Sequence, residues 1–478
     1  MPSDQSRPRV VIVGAGIAGA AAAWFLTRGD APPEVTLIDA ADAVGGKLRV
    51  GEVAGLTVDL GAESMLARRP EAVELARAVG LADRLVAPTT AAASLWTRGA
   101  LRPIPPGTVM GVPADLGALG ASGVLSWAGL ARVPLDYLLP AEPLVDDVTV
   151  GAYVESRVGR EVVDRLVDPL LGGVYAGSAD RLSLAATLPQ LAEIAREGQP
   201  LLRGAAGISA MSAQQGAVFN GLVGGVGQLP ASILDASGAH VRTSTTAREL
   251  CRTSSGWRLT LGSTRSPEQL DADAIVLAVP ARPATRLLQQ EVPIAAAELS
   301  DIDYASVAVV TLVYRRSALA ERLHGSGFLV PPVERRLIKA TTYSSAKWAW
   351  LDASSPDMVL VRCSVGRYGE EEDLQRDDDE LIAAVADEFS EATGAAENPV
   401  DSRVTRWGGA LPQYAVGHNQ RVSRVLTAVD AAPGLAVCGA AYDGVGIPAC
   451  IAGGESAALR ILRHLRDARQ PHLRDARQ

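Results

Sequence analysis

The sequence predicts an α/β chain whose parallel sheet is assembled from separated segments, with a mostly helical insertion and an α+β unit between them. Three observations carry this expectation. RVVIV at Arg9–Val13 is a short apolar run that ends at a glycine-rich turn and passes into helix-compatible residues from Ala20 to Leu26. VTLI at 35–38 is a second apolar run, and it ends in Asp39. AIVLAVP at 274–280 and LAVC at 435–438 read as further buried strands far along the chain, so one sheet must gather distant pieces.

Each element of the N-terminal unit has a physical reason. The turn after the first strand is Gly14-Ala15-Gly16-Ile17-Ala18-Gly19, a G-x-G-x-x-G. Gly14 permits the tight turn, Gly16 lets backbone approach a pyrophosphate, and Gly19 lets helix and strand pack closely. The helix start offers free N–H groups and partial positive charge to phosphates. Asp39 stands where an acid accepts hydrogen bonds from ribose hydroxyls. Glycine turns occur in many α/β proteins, but strand, glycines, helix, strand and acid in this order favour a Rossmann-like dinucleotide site. VGGKL at 44–48 adds a second glycine pair with Gly46, and Lys47 can neutralise a phosphate.

The far strand, 435–438, is followed by Gly439 and then AAYDGVGIPACIAGGES. Gly444, Gly446 and Pro448 are expected to break regular structure, with a small-residue helix resuming at Ile451 and packing closely through Gly453 and Gly454. In the insertion, Val154, Val158, Val162, Leu166 and Leu170 recur at helical spacing, and the helix is expected to stop at Gly172–Gly173.

Composition narrows the function classes. With 478 residues the chain should hold about two to four domains. A net charge of −9 gives no basic field for nucleic acid. Lys47, Lys339 and Lys347 are its only lysines. Cys251, Cys363, Cys438 and Cys450 show no paired spacing and the five histidines are scattered, so neither metal nor disulfide framework is expected. MPSDQSRPR lacks a signal-peptide layout, and no apolar run is long enough to span a bilayer, so the chain reads as cytoplasmic. VLSWAGLARVPLDYLL at 124–139 leaves a buried helix and an amphipathic membrane-touching piece both open, with the buried helix favoured.

Several of these stretches carry a family resemblance. VGGKL after the ribose acid resembles the second signature of FAD-dependent oxidoreductases of the amine-oxidase and glutathione-reductase type, which more often have Glu where this chain has Asp39. TVGAYVES…LLGGVYAG from Thr149, GGVGQL at 224–229 and LPQYAVGH at 411–418 resemble the oxygen-dependent protoporphyrinogen and coproporphyrinogen oxidases, most closely the bacterial coproporphyrinogen III oxidases. The resemblance runs from Val10 to about Leu462. It implies non-covalent FAD, with Gly61, Ala62, Glu63 and Ser64 beside the flavin ring, Ala247 near the adenine, Trp407 near the flavin, and Gly439, Gly446, Ile447 and Pro448 at its pyrimidine edge. It implies substrate contacts from the 105–111 loop (Thr108, Val109, Met110), with Tyr175 and Leu312 as apolar walls. Glu63 stands where some relatives have Arg, so Arg68, Arg69, Lys339 and Lys347 become candidate anchors for propionates, although such residues are more often surface charges. No catalytic base can be named.

The implied domains are 1–90, 216–290 and 406–463 for FAD, 91–215 for the helical insertion, 291–405 for substrate, and 464–478 for a solvated tail that repeats HLRDARQ. The implied reaction is six-electron oxidation of coproporphyrinogen III to coproporphyrin III in three flavin cycles. In each, hydride passes from a carbon to flavin N5, and O₂ accepts the electrons to give H₂O₂. Protoporphyrinogen IX is the alternative substrate. An amine oxidase, a carotenoid desaturase and a non-redox escort protein are alternatives of other kinds; the low aromatic content, a membrane-facing surface weaker than a desaturase should show and the intact cofactor motifs stand against them. Peripheral membrane contact, ferrochelatase as partner, and monomer or homodimer are left open.

Overall fold

The structure, a computed structural model, describes residues 7–212, 216–319 and 323–469. A five-stranded parallel sheet is ordered His240–Arg242, Glu34–Ile38, Arg9–Val13, Ala274–Leu277, Leu435–Val437. Its central strand pairs Val10 with both Val35 and Ala274, joining pieces from opposite ends of the sequence. Alternation sends Val10 and Ile12 into one core and Val11 and Val13 into the other, so both faces are covered. On the first face, helix Ile17–Leu26 packs against the C-terminal helix Ile447–Arg469.

A second sheet has seven strands, ordered Asp401–Pro412, Tyr304–Arg315, Met358–Val365, Ile338–Thr342, Gly327–Leu329, Ser94–Thr97, Ala100–Pro103. The hairpin 94–103 therefore belongs to this sheet and not to the helical insertion, and strand 401–412 crosses the expected boundary at 406. The pairing of Phe328 with Ser94 links residues too far apart for sequence spacing to reveal. One face of the sheet packs on helix Asp378–Thr393 through Val310, Leu312, Tyr314, Phe328 and Phe389. Leu312 is thus core of that face, which corrects its expected role as a substrate wall. Period-two alternation turns Val307, Val309, Thr311 and Val313 to the opposite face.

The helical insertion also departs from its expected boundaries. The periodic run breaks at Gly159 (φ 96°), resumes through a π turn at Val163–Val167, and continues as Asp168–Tyr175. Gly172 and Gly173 remain helical, and the stop comes at Ala176 (φ 51°), whose N–H bonds to the Gly172 carbonyl at 3.0 Å. The last helix begins at Ile447, four residues earlier than expected, because Pro448 is compatible with a first turn. It runs on through the first HLRDARQ copy as far as Arg469, with Leu465 buried; the second copy lies outside the described residues.

The 124–139 stretch is not one buried helix. It forms a short helix, Trp127–Arg132, and a 3-10 segment, Val133–Tyr137. Val133 is buried and Asp136 pairs with Arg157 at 2.6 Å. Trp127 and Leu138 are left 88% and 81% exposed. Among the described residues no helix is long and apolar enough to cross a membrane, no His/Cys/Asp/Glu cluster could hold a metal, and all four cysteines are free thiols.

Candidate functional site

The glycine turn is built as its spacing predicts. Gly14 has φ 110°, which favours glycine, and its N–H bonds to the Ile38 carbonyl at 2.8 Å. A Cβ at Gly19 would overlap the Gly14 carbonyl oxygen, whereas a Cβ at Gly16 would meet nothing within 4 Å. The open side of the turn is therefore at Gly16, where helix 17–26 starts without a side-chain cap. Asp39 accepts from the Ala15 N–H at 2.6 Å and the Ala41 N–H at 2.8 Å, which fixes its carboxylate beside the turn. The second glycine pair stacks on the first, through Gly45 N–H to the Ala15 carbonyl at 2.8 Å.

Lys47 emerges from that stack. It makes no ion pair among the described residues, and burial pushes its ammonium below the usual lysine range, an effect the Cys450 sulfur partly offsets. Gly454, the eighth residue of the C-terminal helix, lies against the Ala18 carbonyl, which packs the third turn of that helix on the first turn of helix 17–26. Gly439 (φ 125°) and Gly446 leave the space before that second helix open. Two helix N-termini and an uncompensated cation converge here, a donor set suited to phosphates and an anionic ring edge.

A charged cluster lies between the 60–63 turn and the seven-stranded sheet. Glu63 accepts from Lys347 Nζ at 2.6 Å, Arg362 Nη1 at 2.7 Å and Ser344 Oγ at 3.2 Å. Arg362 also donates to the Gly61 carbonyl. Trp407 Nε1 donates to the Leu60 carbonyl at 3.0 Å, so strand 401–412 and strand 358–365 both grip the 60–63 turn. Asp59 accepts from Val226 and Gly227 N–H groups, and burial pushes it up to about 6. Lys347 is thus a half-buried partner and not a surface charge. Arg362 escaped the sequence reading, although a lone Arg inside MVLVRCSV was a usable sign of a buried partner.

Beside this cluster the second sheet has a polar floor. Thr311 pairs across the strands with Arg362, and Val309 with both Ser364 and Thr405. Thr311 Oγ1, Thr405 Oγ1 and Arg362 Nε are buried with no hydrogen-bond partner. Apolar clusters around Val313 and Leu360 at one end, and around Val307 and Ala410 at the other, bracket these polar atoms.

The other expected residues are placed as follows. Thr108, Val109 and Met110 are half-buried, and Val109 bonds Val112 at 2.9 Å to make a tight loop. Gly111 sits on the Leu166 carbonyl, so this loop rests on the helical insertion. Tyr175 is buried, with its ring 5.5 Å from that of Tyr414; exposed Val174 and Gly173 line the same turn instead. Arg68 donates to the Ser212 carbonyl and Arg69 to Glu71, so both are engaged structurally. Ala247 opens a strand that pairs with Leu261, and Ile447 and Pro448 form the first turn of the last helix, while Ala62 is exposed and Ser64 half-buried.

The model of flavin-containing amine oxidoreductases matches residues 17–462. The chain belongs to that family. A coproporphyrinogen III oxidase of Bacillus subtilis is 32% identical over 97% of this chain and 99% of its own length. One from Mycobacterium leprae is 38% identical, covering 95% and 97%. The crystal structure of a proposed protoporphyrinogen oxidase from an Exiguobacterium species superposes with a TM-score of 0.84 at 31% identity, covering 96% of this chain and 99% of that one. As a member of the family the chain is an oxidoreductase with a flavin cofactor. The unpaired Lys47, the open Gly16 cradle and the orphaned polar atoms beside Trp407 fit such a group.

Proposed function

We propose that this flavoprotein oxidises coproporphyrinogen III to coproporphyrin III, with FAD held non-covalently and O₂ as acceptor. The observation that carries the reading is the near end-to-end match to coproporphyrinogen III oxidases, which spans both sheets and the helical insertion. Coproporphyrinogen III loses six hydrogens as three hydride–proton pairs, and three O₂ become three H₂O₂. The flavin supplies the two-electron chemistry. This chain's residues supply grip and shape. Gly14, Gly16, Gly19, Asp39, Gly46 and Lys47 hold the dinucleotide end, and Gly61–Ser64, Ala247, Trp407 and Gly439–Pro448 surround the rest. The 108–110 loop and Val174 form one wall of the macrocycle cleft, and half-buried Ala340, Thr342 and Ser364 form the other. None of the four thiols lies in a run suited to covalent flavin attachment, which supports non-covalent binding.

The test is anaerobic mixing of purified flavoprotein with coproporphyrinogen III or protoporphyrinogen IX. Bleaching of the flavin band should be roughly tenfold or more faster with coproporphyrinogen III, a difference of about 1.4 kcal/mol. A flavin colour that persists with both compounds would end the proposal. The exposed Trp127–Leu138 segment carries a second reading, contact with a membrane surface. Trp127→Ser with Leu138→Ser should lower the fraction that sediments with phosphatidylglycerol vesicles at least threefold while leaving thermal stability unchanged.

A further inference from the structure

Lys339 lies on strand 338–342 and is only 5% exposed. Its ammonium donates to one group, the Gly366 carbonyl at 2.8 Å, and makes no ion pair among the described residues. Arg367 follows Gly366 directly. Its side chain is 14% exposed and donates only to carbonyls, Arg336 at 3.1 Å and Val330 at 3.3 Å. The nearest carboxylate to it, Glu370, is 3.9 Å away and faces solvent. Two further acids reach Arg367 by charge alone: Asp168 on helix 168–175, whose Oδ1 is taken by the Ala179 N–H at 2.6 Å, and half-buried Glu388, whose oxygens are taken by the Leu337 and Ile338 N–H groups at 2.9 Å. Two adjacent cations are therefore buried with main-chain acceptors and no carboxylate bonded to either. Burying an ammonium this way is costly unless a counter-charge arrives.

The position of the pair indicates what arrives. Strand 338–342 packs on helix 168–175, and the Tyr368 N–H bonds to the Ala176 carbonyl at the end of that helix at 2.7 Å. From Lys339, half-buried Ala340 and Ser364, then Thr342 and Arg362, run in register along the sheet towards the Glu63 cluster. That strip spans about 10 Å at the usual strand rise. Exposed Gly173 and Val174 close its other side, and Gly173 lies against Leu329. The pair thus sits at one end of a strip of small and polar residues, with the flavin-side cluster at the other.

We infer that Lys339 and Arg367 form a carboxylate site that takes one propionate arm of the porphyrinogen. This rests on the proposed function and adds to it a residue-level reader of substrate acidity. Coproporphyrinogen III, with four carboxylates, offers more arms to such a site than protoporphyrinogen IX with two.

Binding of coproporphyrin III and of its tetramethyl ester, followed by fluorescence quenching of the holoenzyme, tests the site. Lys339→Met removes the charge at nearly constant volume. It should weaken the tetra-acid roughly tenfold or more, leave the ester unchanged, and raise Tm, since an unpaired buried ammonium is lost. Lys339→Arg should restore most of the affinity, and Arg367→Gln should weaken the tetra-acid in the same direction as Lys339→Met. Equal affinity of wild type and Lys339→Met for the tetra-acid would overturn the site. A parallel loss for the ester, or a clear fall in Tm on Lys339→Met, would overturn it too, by making Lys339 a structural brace. Wild-type protein that binds neither porphyrin would instead overturn the proposed function itself.

Discussion

Gly19→Val should give a protein that retains flavin at least a hundredfold more weakly, with a stability loss of about 1–3 kcal/mol. An added Cβ overlaps the Gly14 carbonyl oxygen and lies 3.2 Å from the Ala278 Cβ. Neither is the free end of a flexible side chain, so helix 17–26 must move off the sheet. Its free N–H groups then leave the position at which they meet phosphates. Gly16→Ala separates binding from stability. Gly16 has φ −72°, and its Cβ would meet no protein atom within 4 Å, so the fold should be unaffected. The methyl would occupy space where a dinucleotide backbone approaches, so flavin affinity should still fall. Thermal melts of the apo-protein beside flavin titrations check both. A Gly16→Ala protein that binds flavin as tightly as wild type would refute the open-cradle assignment.

The nucleotide turn was legible in the sequence because every part of it is local. Strand 9–13, the three glycines, Asp39 and Lys47 lie within 39 residues, and the turn admits few residue types. The parallel sheet was legible for a related reason. Strands covered on both faces must read as continuous apolar runs, as 9–13, 274–277 and 435–437 do. The second sheet hid more. Strand 304–315 is apolar at nearly every position, so alternation could not say which face Leu312 takes. Only the neighbour it packs against, helix 378–393, decides that. The helix ends were misplaced because glycine inside a helix costs only about 1 kcal/mol. Packing against strands 327–329 and 338–342 keeps Gly172 and Gly173 helical.

The Glu63 cluster was hidden by distance, with Lys347 284 positions and Arg362 299 positions along the chain from Glu63. Its sequence context pointed to a position near the flavin and gave no partner. The folded chain gives it two, Arg362 from strand 358–365 of the seven-stranded sheet and Lys347 from the short helix 344–347 packed on that strand. Glu63 therefore ties the turn beside the cofactor to the unit proposed to hold substrate.

Glu63→Gln should accordingly be among the most damaging single substitutions outside the glycine turn. Lys347 and Arg362 would remain nearly buried with no carboxylate between them, which typically costs about 3–5 kcal/mol. Glu63→Gln combined with Lys347→Met removes one stranded cation and should recover part of that loss, a coupling readable in a double-mutant cycle. The pH dependence has a definite sign. Burial alone would raise the Glu63 carboxyl, but Lys347 and Arg362 outweigh it and hold the group at about 2 against an ordinary 4.5. A carboxyl lowered on folding contributes stability above its unfolded pKa and loses that contribution as pH falls towards the folded value. Wild-type stability should therefore decline between about pH 5 and pH 2, and the slope there should be shallower in Glu63→Gln. Urea midpoints at pH 7, 5, 4 and 3 measure both effects. Equal midpoints for wild type and variant at pH 7, or parallel slopes below pH 5, would show that the Glu63 carboxylate does not join the 60–63 turn to the seven-stranded sheet energetically, and the coupling of cofactor turn to substrate unit would have to run through the Arg362–Gly61 and Trp407–Leu60 hydrogen bonds.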